Sequence, residues 1–453
     1  PGRYTLEATL MDTITGKVFC CTEEGVTVPG AGLPVNLELE EGYRVSYGLN
    51  GGGGTPPASR IVVPGTKITL PGGKGMTPPE SGKAFLRWEE GGTTYKNGKE
   101  YTVTRDVRFT ATWGVFTRVD AVRDHLASFI DGEGATVADC ISVPVGIDFT
   151  SGGSDTWEAL LEALETAGKY VALDLSHSTL TGMTTVAGEF DPGTYNTGEP
   201  YIGSLTLPDA ALSIKAGTSS STATFQHFTA LQSISGANIE TIGDYAFYDG
   251  DGLSSVYLPA AKTIGTYAFY DGAGLSTVYL PVATDIGTYA FYNCDGLSSV
   301  YLPAATGIGT SAFQNCDRLS TVILPVATSI GINAFLECVI LKSVSLPKAE
   351  SILQGAFARC PQLKTVDLPE VKTIGRYAFE NSTALSTVSI PKVTAINQYT
   401  VFQACPLTSI TISSGCTISA VASLRSDFTT YYNAHGLRGG TYLYVGGAWT
   451  GPF

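Results

Sequence analysis

The sequence predicts a mainly β protein with some helix, organised around a solenoid of stacked 22-residue coils. Eight phenylalanines recur at steps of 22 residues, with one final step of 23: Phe247, Phe269, Phe291, Phe313, Phe335, Phe357, Phe379 and Phe402. Each is surrounded by the same apolar neighbours. A coil this short cannot bury its apolar face alone, so near-identical coils must stack, each on the next.

The order of elements predicts five segments. They are residues 1–42, a small β region; 43–114, a second β module; 115–176, an N-terminal cap of the solenoid; 177–415, the repeats; and 416–453, a C-terminal cap. The caps are expected because the two ends of a stack otherwise expose unpaired backbone and apolar side chains.

Alternating apolar residues predict the strands outside the repeats. Tyr4–Leu10, Val35–Leu39 and Val107–Trp113 alternate apolar and polar side chains, which is typical of a strand with one buried face. A further strand is expected over Tyr170–Leu175, and a hairpin over residues 441–449. These last two elements belong to the predicted caps.

Three helices are expected in the caps. The first covers Asp120–Ile130, the second begins at Ser154 or Asp155 and stops at Gly168, and the third covers Ser426–Ala434. Serine and aspartate favour the first position of a helix because their side chains accept its free amides, and glycine favours the position after its end.

Each coil contains the pattern L-x-x-V-x-L-P, as in Leu275–Pro281. The two-residue period of a strand places Val278 and Leu280 in the core and Tyr279 outside. Pro281 ends the strand because it has no amide hydrogen to donate. Neighbouring strands lie ~4.8 Å apart, so equivalent side chains of successive coils form columns.

One exposed column is the candidate ligand-binding site. It contains Tyr257, Tyr279, Tyr301 and Ile323. A row of tyrosines offers a broad, stiff contact area with a hydroxyl at its tip, which suits recognition of a protein or a glycan. The alternative is that tyrosine merely favours strands and was copied as the repeats duplicated. A second set, expected to pack between coils on the outer arc, is Tyr245, Tyr267, Tyr289 and Tyr377.

The cysteine spacing indicates a buried column rather than a disulfide framework. Five of the nine cysteines lie three residues after a repeat phenylalanine: Cys294, Cys316, Cys338, Cys360 and Cys405. We expect them to be small buried fillers with reduced thiols. The redox states of Cys20, Cys21, Cys140 and Cys416 remain open.

Charge and hydropathy exclude several classes of partner. The formal net charge is -14, and the acidic residues are spread along the sequence, which argues against nucleic acid and anionic lipid as partners. No run approaches ~18 apolar residues, so no membrane insertion is expected. The sequence starts at Pro1, and we expect that a leader is absent from it.

No motif nominates a catalytic, cofactor or metal site, so no enzyme activity is expected. Gly51–Gly54 lacks the following Gly-Lys-Ser/Thr of a phosphate loop, and Asp148 and Asp155 show no spacing of a glycosidase pair. His177 follows Ser176 without a nucleophile-elbow motif around them. The four histidines lie far apart and no cysteine pair has metal-site spacing.

Two resemblances to known families follow from these motifs. Ile-Gly-x-x-Ala-Phe and L-x-x-V-x-L-P, over Ile239–Ile412, resemble the BspA-type (Treponema-type) leucine-rich repeats of bacterial surface proteins. Residues 43–114, through Pro64-Gly65-Thr66, Phe85–Trp88 and Trp113, resemble the β-grasp-like internalin-type B repeat (Listeria–Bacteroides repeat). One departure is alanine where general leucine-rich repeats carry asparagine or cysteine after the strand: Ala261, Ala283, Ala305, Ala327 and Ala349.

The resemblances imply a non-catalytic, adhesin-like bacterial protein that is extracellular or anchored at the cell surface. The exposed strand face would bind an extracellular protein or glycan of a host, a matrix or another bacterium. The alternative is a structural spacer of the cell envelope without its own ligand. The identity of the ligand, the anchoring mode, the oligomeric state, the source organism and the role of residues 1–42 stay open.

Overall fold

The computed structural model describes most of the chain. The described residues are 3–11, 18–27, 40–71, 76–80, 83–96, 98–127, 129, 134–147, 149, 156–179, 187–193, 199–396, 399–419 and 426–453. Outside them lie the predicted strand Val35–Leu39, the predicted helix starts Ser154 and Asp155, the predicted helix end Ile130, and Asp148. Contacts divide the chain into two compact units, Pro1–Glu133 with Ser142–Gly146, and Gly134–Ile141 with Ile147–Phe453.

The N-terminal unit is built on one seven-stranded sheet. Its strands are Arg3–Met11, Val18–Thr27, Glu40–Gly48, Arg60–Val62, Ala84–Glu90, Thr93–Tyr95 and Val107–Gly114. Glu40–Gly48 pairs antiparallel with Val18–Thr27 and parallel with Val107–Gly114. The predicted segments 1–42 and 43–114 therefore share one sheet. The unit also contains two small antiparallel ribbons. One pairs Gly53–Gly54 with Met76–Thr77, and the other pairs Lys67–Thr69 with Glu100–Thr102.

The first two helices differ at their ends from the predicted bounds. The first covers Val119–Ala127 and belongs to the N-terminal unit. The second covers Trp157–Ala167, and the predicted starts Ser154 and Asp155 lie outside the described residues. Thr156 caps this helix, because its Oγ1 accepts a hydrogen bond from the Ala159 amide at 3.1 Å. Gly168 ends it with φ 58°, as predicted.

Two ladders of parallel strands run through the solenoid unit; among the described strands, the first is divided into three sheets and the second into two. The first ladder carries the strands Val171–Asp174, Ile202–Thr206, Ser233–Ser235, Ser255–Tyr257, Thr277–Tyr279, Ser299–Tyr301, Thr321–Ile323, Ser343–Ser345, Thr365–Asp367, Thr387–Ile390 and Ser409–Ile412. The second carries Glu189–Phe190, Ser213–Ile214, Thr241–Ile242, Thr263–Ile264, Asp285–Ile286, Gly307–Ile308, Ser329–Ile330, Ser351–Ile352, Thr373–Ile374, Ala395–Ile396 and Thr417–Ile418. Each coil thus contributes one strand to each ladder.

Further short elements lie around the ladders. They are the strand Ile141–Pro144 and the 3-10 turns Val137–Asp139, Glu199–Tyr201 and Ser220–Thr222. At the last coil, Gly440–Val445 pairs antiparallel with Ser409–Ile412 and with Ala448–Thr450. The helix Ser426–Ala434 has the predicted bounds. The hairpin formed by Gly440–Val445 and Ala448–Thr450 supplies hydrogen-bond partners to the backbone of Ser409–Ile412, the last repeat strand of the first ladder.

The phenylalanines form one continuous buried column, as the period predicts. Successive rings from Phe247 to Phe402 lie 5.0–5.6 Å apart and within 8° of parallel. The column also extends upstream, because Phe225 stacks on Phe247 at 4.6 Å and on Phe190 at 6.0 Å. Residues 202–235 therefore already belong to the stack.

Two positions in most coils have a left-handed backbone that the sequence did not predict. The first precedes the Ala-Phe pair or its equivalent and is occupied by Tyr245, Tyr267, Tyr289, Ser311, Asn333, Gly355, Tyr377 and Thr400. The second lies two residues after the phenylalanine and is occupied by Asp249, Asp271, Asn293, Asn315, Glu337, Arg359, Asn381 and Ala404. Positive φ is sterically costly for every residue there except glycine and, to a smaller extent, asparagine.

Candidate ligand-binding surface

The strand face carries the predicted row of side chains, and all four are exposed. The exposed fractions are 54% for Tyr257, 47% for Tyr279, 63% for Tyr301 and 38% for Ile323. The alternate residues Val256, Val300 and Val322 are buried beneath them. The inside and outside positions of these strands follow the two-residue period.

The row consists of two pairs rather than one continuous ladder. Tyr257 pairs with Tyr279, and their rings stack at 4.9 Å and 6°. Tyr301 pairs with Ile323 in the next sheet. Among the described strands, the sheet that ends at Thr277–Tyr279 is separate from the one that begins at Ser299–Tyr301. Val278, expected in the core, is consequently only partly buried.

The strands that carry the row are free of charge. Their other outward residues are the hydroxyl-bearing Ser255, Thr277, Ser299 and Thr321. The row continues through Ser345, which pairs with Ile323. This surface therefore combines exposed aromatic area with neutral hydroxyl groups, a composition that suits contact with a protein or a sugar.

The second tyrosine set packs between coils. Beside it lies another stack of tyrosine rings, which the sequence analysis did not identify. Tyr245, Tyr267 and Tyr289 stack at 4.9 Å per step. Tyr248, Tyr270 and Tyr292 form a parallel stack at 4.9 and 4.7 Å. Burial, followed by the neighbouring Asp271 carboxylate, raises the pKa of Tyr270 to about 12. The 22-residue spacing of these three tyrosines was the signal available in the sequence.

The acidic residues, which are spread along the sequence, gather in space. Stacking brings Asp249, Asp251 and Asp295 close to Asp271. Burial first, and then these neighbouring carboxylates, raise the pKa of Asp271. Burial, Asp295 and Glu337 act in the same way on the pKa of Asp317. The expectation of an unclustered acidic surface is therefore wrong, because residues 22 apart in sequence are neighbours in the stack.

The five predicted cysteines are buried and free, as expected. They also have a role that the sequence did not reveal, since each thiol donates to the carbonyl of the phenylalanine in the coil before it. The Cys294 Sγ lies 3.0 Å from the Phe269 oxygen, and the other four thiols make the same contact at 3.1–3.2 Å. Ser382 occupies the same column and donates to Phe357 at 2.8 Å. Cys140 and Cys416 are free as well.

Metal-ligating side chains do not gather in the described part of the chain. No group of three histidine, cysteine or acidic side chains that could hold a metal ion occurs among the described residues. Ser176 Oγ lies 2.9 Å from His177 Nδ1, but this pair is exposed, and the Asp174 carboxylate accepts the Ser176 amide. In the same residues, no helix has the length and apolarity that crossing a membrane requires.

Comparisons with known proteins match the repeat region. The sequence model of the BspA type leucine rich repeat region matches residues 218–327 and 306–423, in six copies. The match does not extend to residues 43–114, whose resemblance to the internalin-type B repeat stays a prediction. No curated protein sequence matches the chain.

Several solved structures of leucine-rich repeat proteins are similar to parts of the chain. The leucine-rich repeat protein of T. pallidum is 27% identical, with 34% of this chain and 78% of that chain covered and a TM-score of 0.32. A leucine-rich cell surface protein of Faecalibacterium prausnitzii is 18% identical, with coverage of 55% and 86% and a TM-score of 0.27. A leucine-rich repeat protein of Bacteroides ovatus is 19% identical, with coverage of 60% and 82% and a TM-score of 0.30.

Proposed function

Since residues 218–423 belong to the BspA type leucine-rich repeat family, we propose that this chain is a non-catalytic, adhesin-like binding protein of the bacterial cell surface. Its exposed strand face docks an extracellular protein or glycan. Resident cofactors and metals have no part in this function. The ligand comes from a host, a matrix or another bacterium.

The observation that carries the proposal is the exposure of four large side chains on an uncharged strand face. Tyr257, Tyr279, Tyr301 and Ile323 each expose more than a third of their surface. Large aromatic side chains are enriched at the energetic centres of interfaces because they bury much area at a small entropic cost. An exposed apolar row of this kind contributes little to the stability of the stack itself, so a binding role accounts for it better.

The test begins with a screen of the full chain on glycan and extracellular-protein arrays. The triple variant Tyr257→Asp, Tyr279→Asp, Tyr301→Asp is then compared on every reproducible hit. We expect at least a hundredfold loss of affinity, because three desolvated contacts are removed and three charges introduced. Melting should change little, since all three side chains are exposed.

The matched control is Tyr399→Asp, which replaces a tyrosine of similar exposure, 60%, outside the row. It should bind every hit as the unmodified chain does. Full affinity of the triple variant would show that another surface is used. A silent screen on both arrays would favour the alternative function, a structural spacer of the cell envelope.

A further inference from the structure

A second surface of interest lies along the loops that lead into the strands of the first ladder. It is a groove of about 480 Å³ that spans five coils, which is within the usual volume range of small-molecule sites, ~300–1,000 Å³. Its main polar lining residues are Asn293, Asn315, Asp317, Glu337, Arg359 and Asn381. The groove is therefore lined by amide, carboxylate and guanidinium groups and contains neither tyrosine nor cysteine.

Five of these six side chains start from a fixed backbone. They occupy the second left-handed position of their coils, with φ between 54° and 62°. The phenylalanine rings of the same coils lie 5.0–5.6 Å apart. The groove thus presents one polar side chain per coil, and the backbone positions that carry these side chains repeat from coil to coil.

Only one of the two polar atoms in the Asn315 side-chain amide has a hydrogen-bond partner among the described residues. Its Nδ2 donates to the Tyr292 hydroxyl at 3.1 Å, while its Oδ1 has no hydrogen-bond partner within the described part of the chain. Exchanging the two amide atoms would leave the nitrogen without a partner instead. The Asn315 Oδ1 is buried, so a ligand hydroxyl, which can both donate and accept, reaches this amide only after the side chain rotates outward.

Charge disfavours an anionic ligand here. The groove contains the carboxylates of Asp317 and Glu337, and its guanidinium group, that of Arg359, is already paired to Glu337. A sulfated, phosphorylated or sialylated chain would be repelled by this surface. The complementary ligand is neutral and rich in hydroxyl groups.

The spacing distinguishes a sugar chain from a peptide. An extended peptide advances ~3.3 Å per residue, so neither one nor two residues match a step of 5.0–5.6 Å. In an extended β-1,4-linked chain of pyranose sugars, the advance per sugar is close to this step. We propose that the groove binds an uncharged, extended β-1,4-linked polysaccharide along the solenoid, with one sugar facing each coil.

The experiment is calorimetric titration of the full chain with cellohexaose, xylohexaose and chitohexaose. At least one of them should bind, and its affinity should rise with chain length up to about five sugars, one for each coil that lines the groove. Maltohexaose, whose α-linkage coils the chain, should bind at least tenfold more weakly. Absence of binding by all three β-linked probes, or equal binding of maltohexaose, overturns the proposal.

The variant that locates the site is Asn315→Gly with Asn381→Gly. Glycine keeps the left-handed backbone without strain and removes the amide, so folding should be preserved, and affinity should fall at least tenfold. The control is Asn333→Gly, the same change at another left-handed position, φ 53°, outside the groove. The triple tyrosine variant should bind these sugars normally. An unchanged affinity in the double variant would contradict the proposal and leave the strand-face function untouched.

Discussion

Two left-handed residues in most coils are a recurring steric cost of this solenoid. Three coils carry asparagine at the second of these positions, as Asn293, Asn315 and Asn381. The short polar side chain of asparagine tolerates positive φ. Elsewhere the position is held by residues that do not favour it, such as Arg359 and Ala404. Stacking imposes this left-handed backbone, and the stability of the stack offsets its steric cost.

Replacing Ala404 with glycine should therefore stabilise the protein. Ala404 has φ 59° and an exposed side chain, so Ala404→Gly relieves steric strain without leaving a cavity. We expect the free energy of unfolding to rise by up to about 1 kcal/mol. Ala260→Gly is the control at a residue without positive φ, and it should lower stability by roughly 0.5–1 kcal/mol. Denaturant unfolding measures both, and a loss of stability in Ala404→Gly would contradict the strain argument.

Glu199 is a second residue whose environment conflicts with its charge. It is 1% exposed, and its Oε2 has no hydrogen-bond partner among the described residues. Burial raises the pKa of this carboxyl from 4.5 to about 8. The folded state therefore holds a proton that the unfolded state releases, and the free energy of unfolding should fall as the pH rises from about 4.5 to about 8.

Glu199→Gln tests this linkage because glutamine is a neutral analogue of similar shape. The variant should match the unmodified chain below pH 4.5 and exceed its stability at pH 8, by roughly 2–4 kcal/mol. Thermal unfolding at several pH values measures the difference. Equal pH dependence of the two proteins would mean that the Glu199 carboxyl is not desolvated in the folded state.

At the scale of elements, the buried phenylalanine column packs each coil against the next. Phe335 is fully buried and lies 5.3 Å from the ring on either side. Phe335→Ala should lower the free energy of unfolding by ~3–5 kcal/mol, because the flanking coils cannot close the cavity. Ile332→Ala, an exposed position of the same coil, should change it by less than ~0.5 kcal/mol. A loss below ~1 kcal/mol for Phe335→Ala would contradict the inward orientation of the column.

The elements that the sequence predicts are those repeated without variation. The coils after Ile239 follow from the phenylalanine period, whereas the strands Ile202–Thr206 and Ser233–Ser235 were not individually predicted, because the residues around Phe225 depart from the repeated pattern. The sheet break between Tyr279 and Tyr301 could not be predicted. The two strands read Thr-Val-Tyr and Ser-Val-Tyr, so nothing in their composition marks the interruption.

At the scale of the whole molecule, stacking converts sequence period into surface patterns. Residues 240–317 carry eight carboxylates against one lysine, whereas residues 318–423 carry eight basic side chains against five acidic ones. The composition alone gives only the total of -14. The candidate strand-face row was predictable because its position depends on strand period alone. The polar groove was not, because it depends on the left-handed turns that bring distant loops into line.

The most direct test of the strand-face proposal is hydroxyl-radical footprinting of the tyrosines, with and without a partner identified on the arrays. Tyr257, Tyr279 and Tyr301 are exposed, so they should be oxidised readily in the free chain. They should be protected at least fivefold in the complex, while the exposed Tyr399 keeps its rate. Unchanged oxidation of all three tyrosines in a saturated complex would contradict the assignment of the strand face as the binding surface.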